Sequence, residues 1–291
     1  MMLCAGMGTR LRPLTDELPK PLVPVGDRPL LAHVAARLRH AGFTRAVVNT
    51  HHLAHAFASH LAEIPLEVHL VHELTIRGTA GGVAGARELL GSGPVLVHNG
   101  DILADPPIAE LLAAAGDGMC LAIAPRSAGQ GSVGLAADAS VVRLRGEVFG
   151  REVSGGDYLG VAALGGRCLT ELPSQGCLIG DWALPELRRG GRLNTVTAPD
   201  NWTDAGDLAS YLAANLSWLE RQCGPAPAAW VGPGAEVQPS VTLDRSLVGQ
   251  GARVTGTGRL SQCVVWPGAV ARAPLSNAVV SRGGNVVRVG G

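Results

Sequence analysis

Three segments in the last quarter of the chain, VGPGAEV (231–237), VGQGARV (248–254) and VWPGAVA (265–271), superpose at a constant offset of 17 residues, with Gly-Ala pairs at 234–235, 251–252 and 268–269. In the first two repeats an apolar residue falls at every sixth position: Val231, Val237 and Leu243, then Val248, Val254 and Leu260. Apolar side chains at that spacing, with small turn residues between them, are the hexapeptide pattern of a parallel β-helix. Three six-residue faces close one triangular coil of about eighteen residues, so a period of 17 implies one shortened corner. A Gly/Pro-rich linker would carry no such period. The coils are few, about three, so the segment is expected to lean on the rest of the chain or on a partner subunit.

Before residue 226 the texture differs. RAVVNT (45–50), LEVHLVH (66–72), PVLVHNGD (94–101) and MCLAIAP (119–125) are short apolar runs suited to strands buried on both faces. Helical patterns lie between them. RPLLAHVAARLRHAG (28–42) places Leu31, Val34, Leu38 and Ala41 on one face and ends at Gly42, and PIAELLAAAG (107–116) behaves likewise. This alternation predicts a doubly wound, mostly parallel α/β sheet, in which ligands bind beyond the carboxyl ends of the strands. The expected organisation is a Rossmann-like α/β domain over 1–222 and a small left-handed parallel β-helix over 226–291. The first strand, MMLC, is short, which leaves a start codon upstream or a clipped strand as its two readings.

Composition narrows the function classes. With 46% hydrophobic and 16% charged residues the chain can bury a sizeable core. Basic and acidic residues number 24 each, so no electrostatic argument favours nucleic acid or an anionic membrane as partner. No apolar run approaches the ~20 residues of a membrane span, and MMLCAGMGTRLRPLT is not a signal peptide. Six scattered cysteines without a C-x-x-C pair read as reduced, mostly buried thiols, and the expected location is the cytoplasm. The nine histidines all fall within the first 98 residues; His51, His52 and His55 of NTHHLAH are expected to cover a helix start rather than hold a metal. A tail without histidine lacks the side chain that hexapeptide acyltransferases commonly use, so it reads as an oligomerisation or regulatory module.

Of the 24 basic residues one is lysine, Lys20, and 23 are arginine. A GC-rich genome explains the scarcity of lysine but not the place of the survivor. Lys20 lies between Pro19 and Pro21, which stiffen its backbone, in LCAGMGTRLRPLTDELPKPLVPVGDRPLL (3–31). The loop before it holds Gly6 and Gly8, where backbone N–H groups can approach phosphate with no Cβ in the way. It is not a dinucleotide fingerprint: Leu11 stands where the third glycine belongs, and the second strand ends at Asn49 without an acid. The Walker A pattern is absent.

As a whole this string closely resembles the N-terminal signature of sugar-1-phosphate nucleotidyltransferases, a G-x-G-T-R-L-x-P-L-T loop followed by P-K-P, and every one of those residues is present. RGTAGGVAGA (77–86) looks like the base-binding loop of that family, VHNGDIL (97–103) like its metal-binding strand end, and NWTDAGD (201–207) like its W-x-D-x-G motif. The resemblance covers nearly the whole chain and lies nearest the mannose-1-phosphate guanylyltransferases with a hexapeptide tail. It implies the reaction NTP plus sugar 1-phosphate giving NDP-sugar plus pyrophosphate. It implies Arg10 on the leaving phosphates and Lys20 where bonds change, both catalytic. Ala5, Gly6, Gly8, Thr9, Gly78, Thr79, Ala80 and Gly81 are implied to bind nucleotide, and Asp101 and Asp204 to hold Mg2+.

The chemistry of that reaction suits those residues. The nucleophile is a phosphate oxygen, largely ionised at neutral pH with a second pKa near ~6, so no general base is required. Charge control is required: a metal, a cationic clamp and backbone N–H donors. Asp101 follows an apolar strand and Asp204 a distant one; each is also a residue type common in turns and helix caps. Many members of the family carry a Glu-Lys pair that binds the sugar phosphate, but residues 141–164 contain no lysine, which leaves Arg143 or Arg145 as substitutes. Gly160 matches the sugar-holding strand, where Tyr158 replaces a small polar residue.

The reading favours GTP and mannose 1-phosphate, from the GTAG-like loop and the tail type. UTP or dTTP with a glucose-type or amino-sugar 1-phosphate is the alternative. A non-catalytic nucleotide-sugar-binding regulatory subunit is the rival of another class, and transfer to a non-sugar phosphate such as phosphocholine a third. A homo-oligomer formed through the β-helix is expected.

Overall fold

In the computed structural model, which describes residues 1–224 and 228–290, the period of 17 reappears as strand register. Glu236 pairs with Arg253 and Arg253 with Val270; Val231 pairs with Val248 and Val248 with Val265. Each of these steps is one repeat, though Leu260 pairs with Leu275 and Val265 with Val280, two residues short, and the pairing is parallel throughout Ala229–Val231, Glu236–Val237, Val241–Asp244, Ser246–Val248, Arg253–Val265 and Val270–Val280. This is the pairing a parallel β-helix requires. The hexad residues of the second repeat face inward: Val248, Val254 and Leu260 are fully buried. Those of the first repeat are not, and Val231 is 46% exposed, because an end coil has a neighbour on one side only. The strand Val286–Arg288 closes the far end by pairing antiparallel with Val270–Val280.

Backbone contacts divide the chain into two compact units: Met1–Gly6 with Val34–Trp202, here the sheet unit, and Met7–His33 with Thr203–Gly291, here the coil unit. The units do not follow a linear cut near residue 222. Residues 7–33 and the helix Leu208–Cys223 group with the carboxyl-terminal strands; the expected boundary at 222–226 falls partly on residues 225–227, outside the described residues. Leu208–Cys223 starts at a capping box, in which Asp207 accepts from the Ser210 N–H and Ser210 answers the Asp207 N–H. Its Trp218 stacks edge-on against Trp230, with ring centroids 5.5 Å apart. The same ring leaves room only for a glycine at Gly26, whose φ is +63° and whose added Cβ would lie 2.1 Å from the indole.

The sheet unit holds a mixed sheet with a parallel core. Met2–Leu3 runs parallel between Arg45–Thr50 and Val95–Asn99, and Glu67–His72 extends the parallel side as an edge strand. The runs read as strands at 45–50 and 119–125 are strands at Arg45–Thr50 and Met119–Arg126. The sequence does not reveal the direction of Ser154–Leu164, which runs antiparallel to both Val95–Asn99 and Met119–Arg126. One face of this sheet carries Val47, Val95, Val97, Leu121, Ile123 and Ala162 into a single apolar cluster.

His98 alternates to the other face of Val95–Asn99 and is 3% exposed. Its Nδ1 lies 2.7 Å from the Asn99 carbonyl, so that nitrogen carries the proton. Burial pulls its pKa from 6.5 down to about 4, which keeps the ring neutral in the folded protein. Between those values the unfolded chain binds the extra proton and the folded chain does not, so stability falls as pH drops from 6.5 to about 4. The loss attributable to this residue is about 3 kcal/mol. Chemical denaturation of wild type and His98→Gln at pH 7 and pH 4 checks it: the wild type should lose about that much more stability than the variant.

Candidate active site

The coil unit pairs Lys20 with Asp204 and places Arg10 beside the adjacent Gly206. The chain turns at Gly8, whose φ is +62°. A Cβ there would stand 2.9 Å from Thr15 Cγ2 and 3.2 Å from Lys20 Cβ, so the loop lies directly on the lysine stem. Thr15 Oγ1 donates to the Gly8 carbonyl at 2.8 Å and holds the turn shut. The short turn Thr9–Leu11 follows, anchored by buried Leu11 and Leu14 and leaving Thr9 and Arg10 exposed. Lys20–Leu22 forms a second short turn flanked by proline.

Lys20 is only 6% exposed, which an ammonium tolerates only when paired. Its Nζ donates to Asp204 Oδ1 at 3.2 Å. A Cβ at Gly206 would lie 2.9 Å from Asp204 Oδ2 and 3.1 Å from both terminal nitrogens of Arg10. Glycine at 206 therefore leaves room for the second carboxylate oxygen and the guanidinium to share one space. Arg10, Lys20, Asp204 and Gly8 form one constellation, and Thr15 and Gly206 belong to it although sequence reasoning passed over them. Their signal lay inside motifs already noted, at the T of RPLT and the last G of WTDAG.

The sheet unit places the remaining candidates. Ala5 is buried, but a Cβ at Gly6 would meet nothing within 4 Å, so the packing of this chain does not demand glycine there. Asp101 follows the carboxyl end of Val95–Asn99 and is half-buried. The stretch expected as a base-binding loop, 77–86, is helical from Gly78 to Gly85. Its glycines serve close packing: an added Cβ would lie 2.4 Å from Gly176 O at Gly78, 2.6 Å from Ser174 O at Gly81, and 2.6 Å from Asn49 Nδ2 at Gly82. Ala80 N and, more distantly, Gly81 N donate to Gly176 O, and Thr79 Oγ1 accepts from Leu178 N. These backbone groups are thus engaged by residues 176–178.

Asn49, noted in the sequence only for not being an acid, is 2% exposed and joins the two expected nucleotide segments. Its Oδ1 accepts from Cys4 N at 2.8 Å and its Nδ2 donates to Glu73 Oε1 at 2.7 Å, while Glu73 Oε2 accepts from Arg77 N at 2.9 Å. The end of the first strand is thereby tied to the start of helix Gly78–Gly85.

Tyr158 and Gly160 lie in Ser154–Leu164 at an irregularity in its pairing. Gly160 has φ +67°, and its Cα faces Asn99 closely enough that a Cβ would stand 2.5 Å from Asn99 Nδ2. Arg145 directs its Nη2 to Cys177 Sγ at 3.3 Å. Burial pushes the Cys177 thiol up, but N–H groups of Gly180 and Ile179, the Thr79 hydroxyl and Arg145 bring it below its ordinary value. All cysteines are free thiols among the described residues. No cluster of three or more His, Cys, Asp or Glu side chains able to hold a metal occurs among those residues, and His51 is instead bound through Nδ1 to the Glu73 carbonyl. No helix among them is long and apolar enough to cross a membrane.

Residues 1–121 match the Nucleotidyl transferase family. An N-acetylmuramate alpha-1-phosphate uridylyltransferase of Caulobacter vibrioides is 33% identical over 243 residues, 76% of this chain and 96% of that protein. A probable mannose-1-phosphate guanylyltransferase 1 of Oryza sativa subsp. japonica is 27% identical over 98% of this chain and 82% of its own length. Other relatives match over shorter stretches, in which the chain spans 32% to 47% of their length. Among solved structures, HddC from Yersinia pseudotuberculosis, complexed with GMP-PN, shares the fold, with a TM-score of 0.62 at 20% identity over 75% of this chain and 97% of that one.

The two loop glycines separate in their effect on stability. Gly8→Ala should cost about 1–2 kcal/mol in chemical denaturation, from a left-handed backbone and the Thr15 contact. Gly6→Ala, with open space at its Cβ, should stay within about 0.5 kcal/mol of wild type.

Proposed function

The chain belongs to the sugar-1-phosphate nucleotidyltransferases of the Nucleotidyl transferase family, and from that premise we propose that it transfers a nucleotidyl group from a nucleoside triphosphate to a sugar 1-phosphate, releasing pyrophosphate. The observation that carries the proposal is the buried Lys20 ammonium, held 3.2 Å from Asp204 beneath the glycine turn that leads into exposed Arg10. The attacking phosphate oxygen needs no base to activate it. It needs the repulsion between anions relieved and charge on the leaving pyrophosphate met as it grows. Lys20 offers a point charge on a slim stem, Arg10 an exposed planar fork suited to phosphate oxygens, and the turn around Gly6 an approach without side chains.

Mg2+ is part of the proposal, the family resemblance offering Asp101 of the sheet unit and Asp204 of the coil unit as carboxylate donors. The donor chemistry fits: both are hard oxygen donors, Asp204 is partly solvent-accessible at 38%, and Mg2+ usually takes only one or two carboxylates, completing its shell with water and phosphate. Bound there, the ion would neutralise phosphate charge. The chain's own residues would hold the nucleotide: Thr9 and Arg10 from the first turn, and Gly78–Gly85 through its amino-terminal end. Tyr158 and Gly160 are assigned to the sugar side.

For the substrates, GTP with mannose 1-phosphate is favoured by a guanylyltransferase relative that spans nearly the whole chain, tail included. Transfer from UTP to an amino-sugar 1-phosphate is the second reading, favoured by the higher identity of the Caulobacter relative. The tail is proposed to mediate a homo-oligomer in the cytoplasm, to be checked by analytical ultracentrifugation.

The test is pyrophosphate release with Mg2+ across GTP, UTP, dTTP, CTP and ATP, crossed with mannose, glucose, N-acetylglucosamine and N-acetylmuramate 1-phosphates. One pair should turn over. Lys20→Ala and Lys20→Arg should each lose about 10²-fold or more in kcat, because a guanidinium does not fit the buried slot. Gly6→Ala should raise the KM for the nucleotide. Nucleotide-sugar binding without release by wild type would point instead to a regulatory subunit.

A further inference from the structure

Lys20 lies between two clasps, the first made by the carboxyl-terminal coils and the second by the helix Leu208–Cys223 backed by Trp266 of the coils. The first is at Glu17. Its carboxylate accepts from the Ser281 hydroxyl, from Asn285 Nδ2 at 2.7 Å and from Gly283 N at 2.8 Å. The receiving turn is built for it. Ser281 is fully buried, its Oγ also accepts from Asn285 N, and its backbone N–H is bound by the Asn285 carbonyl. A Cβ on Gly283 would stand 2.6 Å from Glu17 Oε1, so only glycine lets the carboxylate seat. The second clasp is at Pro24. Its carbonyl accepts from the Tyr211 hydroxyl, which in turn accepts from Trp266 Nε1 at 3.0 Å; Tyr211 and Trp266 are both buried. Asn215 adds a bond from Gly26 N at 2.9 Å to its Oδ1.

We propose that the coils are a working part of the Lys20 site: Glu17, through Ser281, Gly283 and Asn285, and Tyr211, through Trp266, are positioning residues that fix the turn carrying Lys20 from both sides. The inference rests on the nucleotidyl-transfer reading for its catalytic consequence. Glu17 lies three residues before Lys20 and Pro24 four after it. So short a span, pinned at both ends and stiffened by Pro19 and Pro21, leaves the lysine backbone few alternatives. The need is physical. A lysine side chain is a flexible four-carbon stem, and a shift of about 1 Å in a charge that meets reacting atoms can cost about 10²-fold in rate. The tail thereby supplies the rigid seat that a loop by itself lacks.

The experiment uses the full chain with Glu17→Gln, Asn285→Ala and Tyr211→Phe, each followed by hydrogen exchange of amides 18–24, thermal unfolding, and steady-state kinetics on whichever substrate pair the pyrophosphate-release panel identifies. Positioning predicts faster exchange at 18–24 in every variant, and kcat lowered about tenfold while the nucleotide KM stays within twofold. It also predicts that Glu17→Gln combined with Asn285→Ala is no worse than either alone, because the two residues act as one unit. A purely structural role predicts a lower unfolding temperature with kcat per folded molecule unchanged, and that result overturns the proposal. So does exchange at 18–24 that is unaltered in the variants that fold. If exchange responds but wild type turns over no substrate pair, the clasps stand and the nucleotidyl-transfer reading is what fails.

Discussion

Keeping a positive charge out of water is the constraint around which the coil unit is arranged. Lys20 is almost fully buried, and an ammonium in that position must have a nearby anion and a fixed geometry. Asp204 supplies the anion from the opposite end of the sequence. The turn at Gly8, the Thr15 hydroxyl and the two prolines supply the geometry. Gly206 leaves room on one side for Asp204 Oδ2 and on another for the Arg10 guanidinium.

The parts of the fold that were legible in the sequence are those in which each residue's environment repeats. Arg45–Thr50 and Met119–Arg126 are buried on both faces, so nearly every residue is apolar and the run identifies itself. The coils are legible because residues 17 apart touch the same neighbours, so the same side chains recur. The illegible parts depend on a partner far away in sequence. The helix Gly78–Gly85 contains four glycines and reads as a loop on propensity. It is a helix because its small residues admit the 174–176 segment, nearly a hundred residues downstream. Similarly, Asn49 ends an apolar strand with no local sign that Cys4 and Glu73 wait on either side.

The same distinction applies to the site. Lys20 stood out by composition and motif, and its tie to Asp204 agrees with the two motifs being parts of one arrangement. What composition could not reveal was burial, or that Glu17 and Pro24, on either side of Lys20, are held by residues 281–285 and by Tyr211. Arg145, offered by elimination for the sugar phosphate, has one guanidinium nitrogen 3.3 Å from Cys177 Sγ.

The 17-residue register also sets a rule of length. A stack of coils that pair only with their neighbours could in principle gain or lose a whole repeat, since each level is a copy of the last. Here the final level must meet Glu17. One more coil before Ser281 would lift the receiving turn by one strand spacing, about 4.8 Å, well beyond the reach of a hydrogen bond. The tail is in this sense a ruler, and the number of its rungs is set by where the loop bearing the chain's one lysine has to be held.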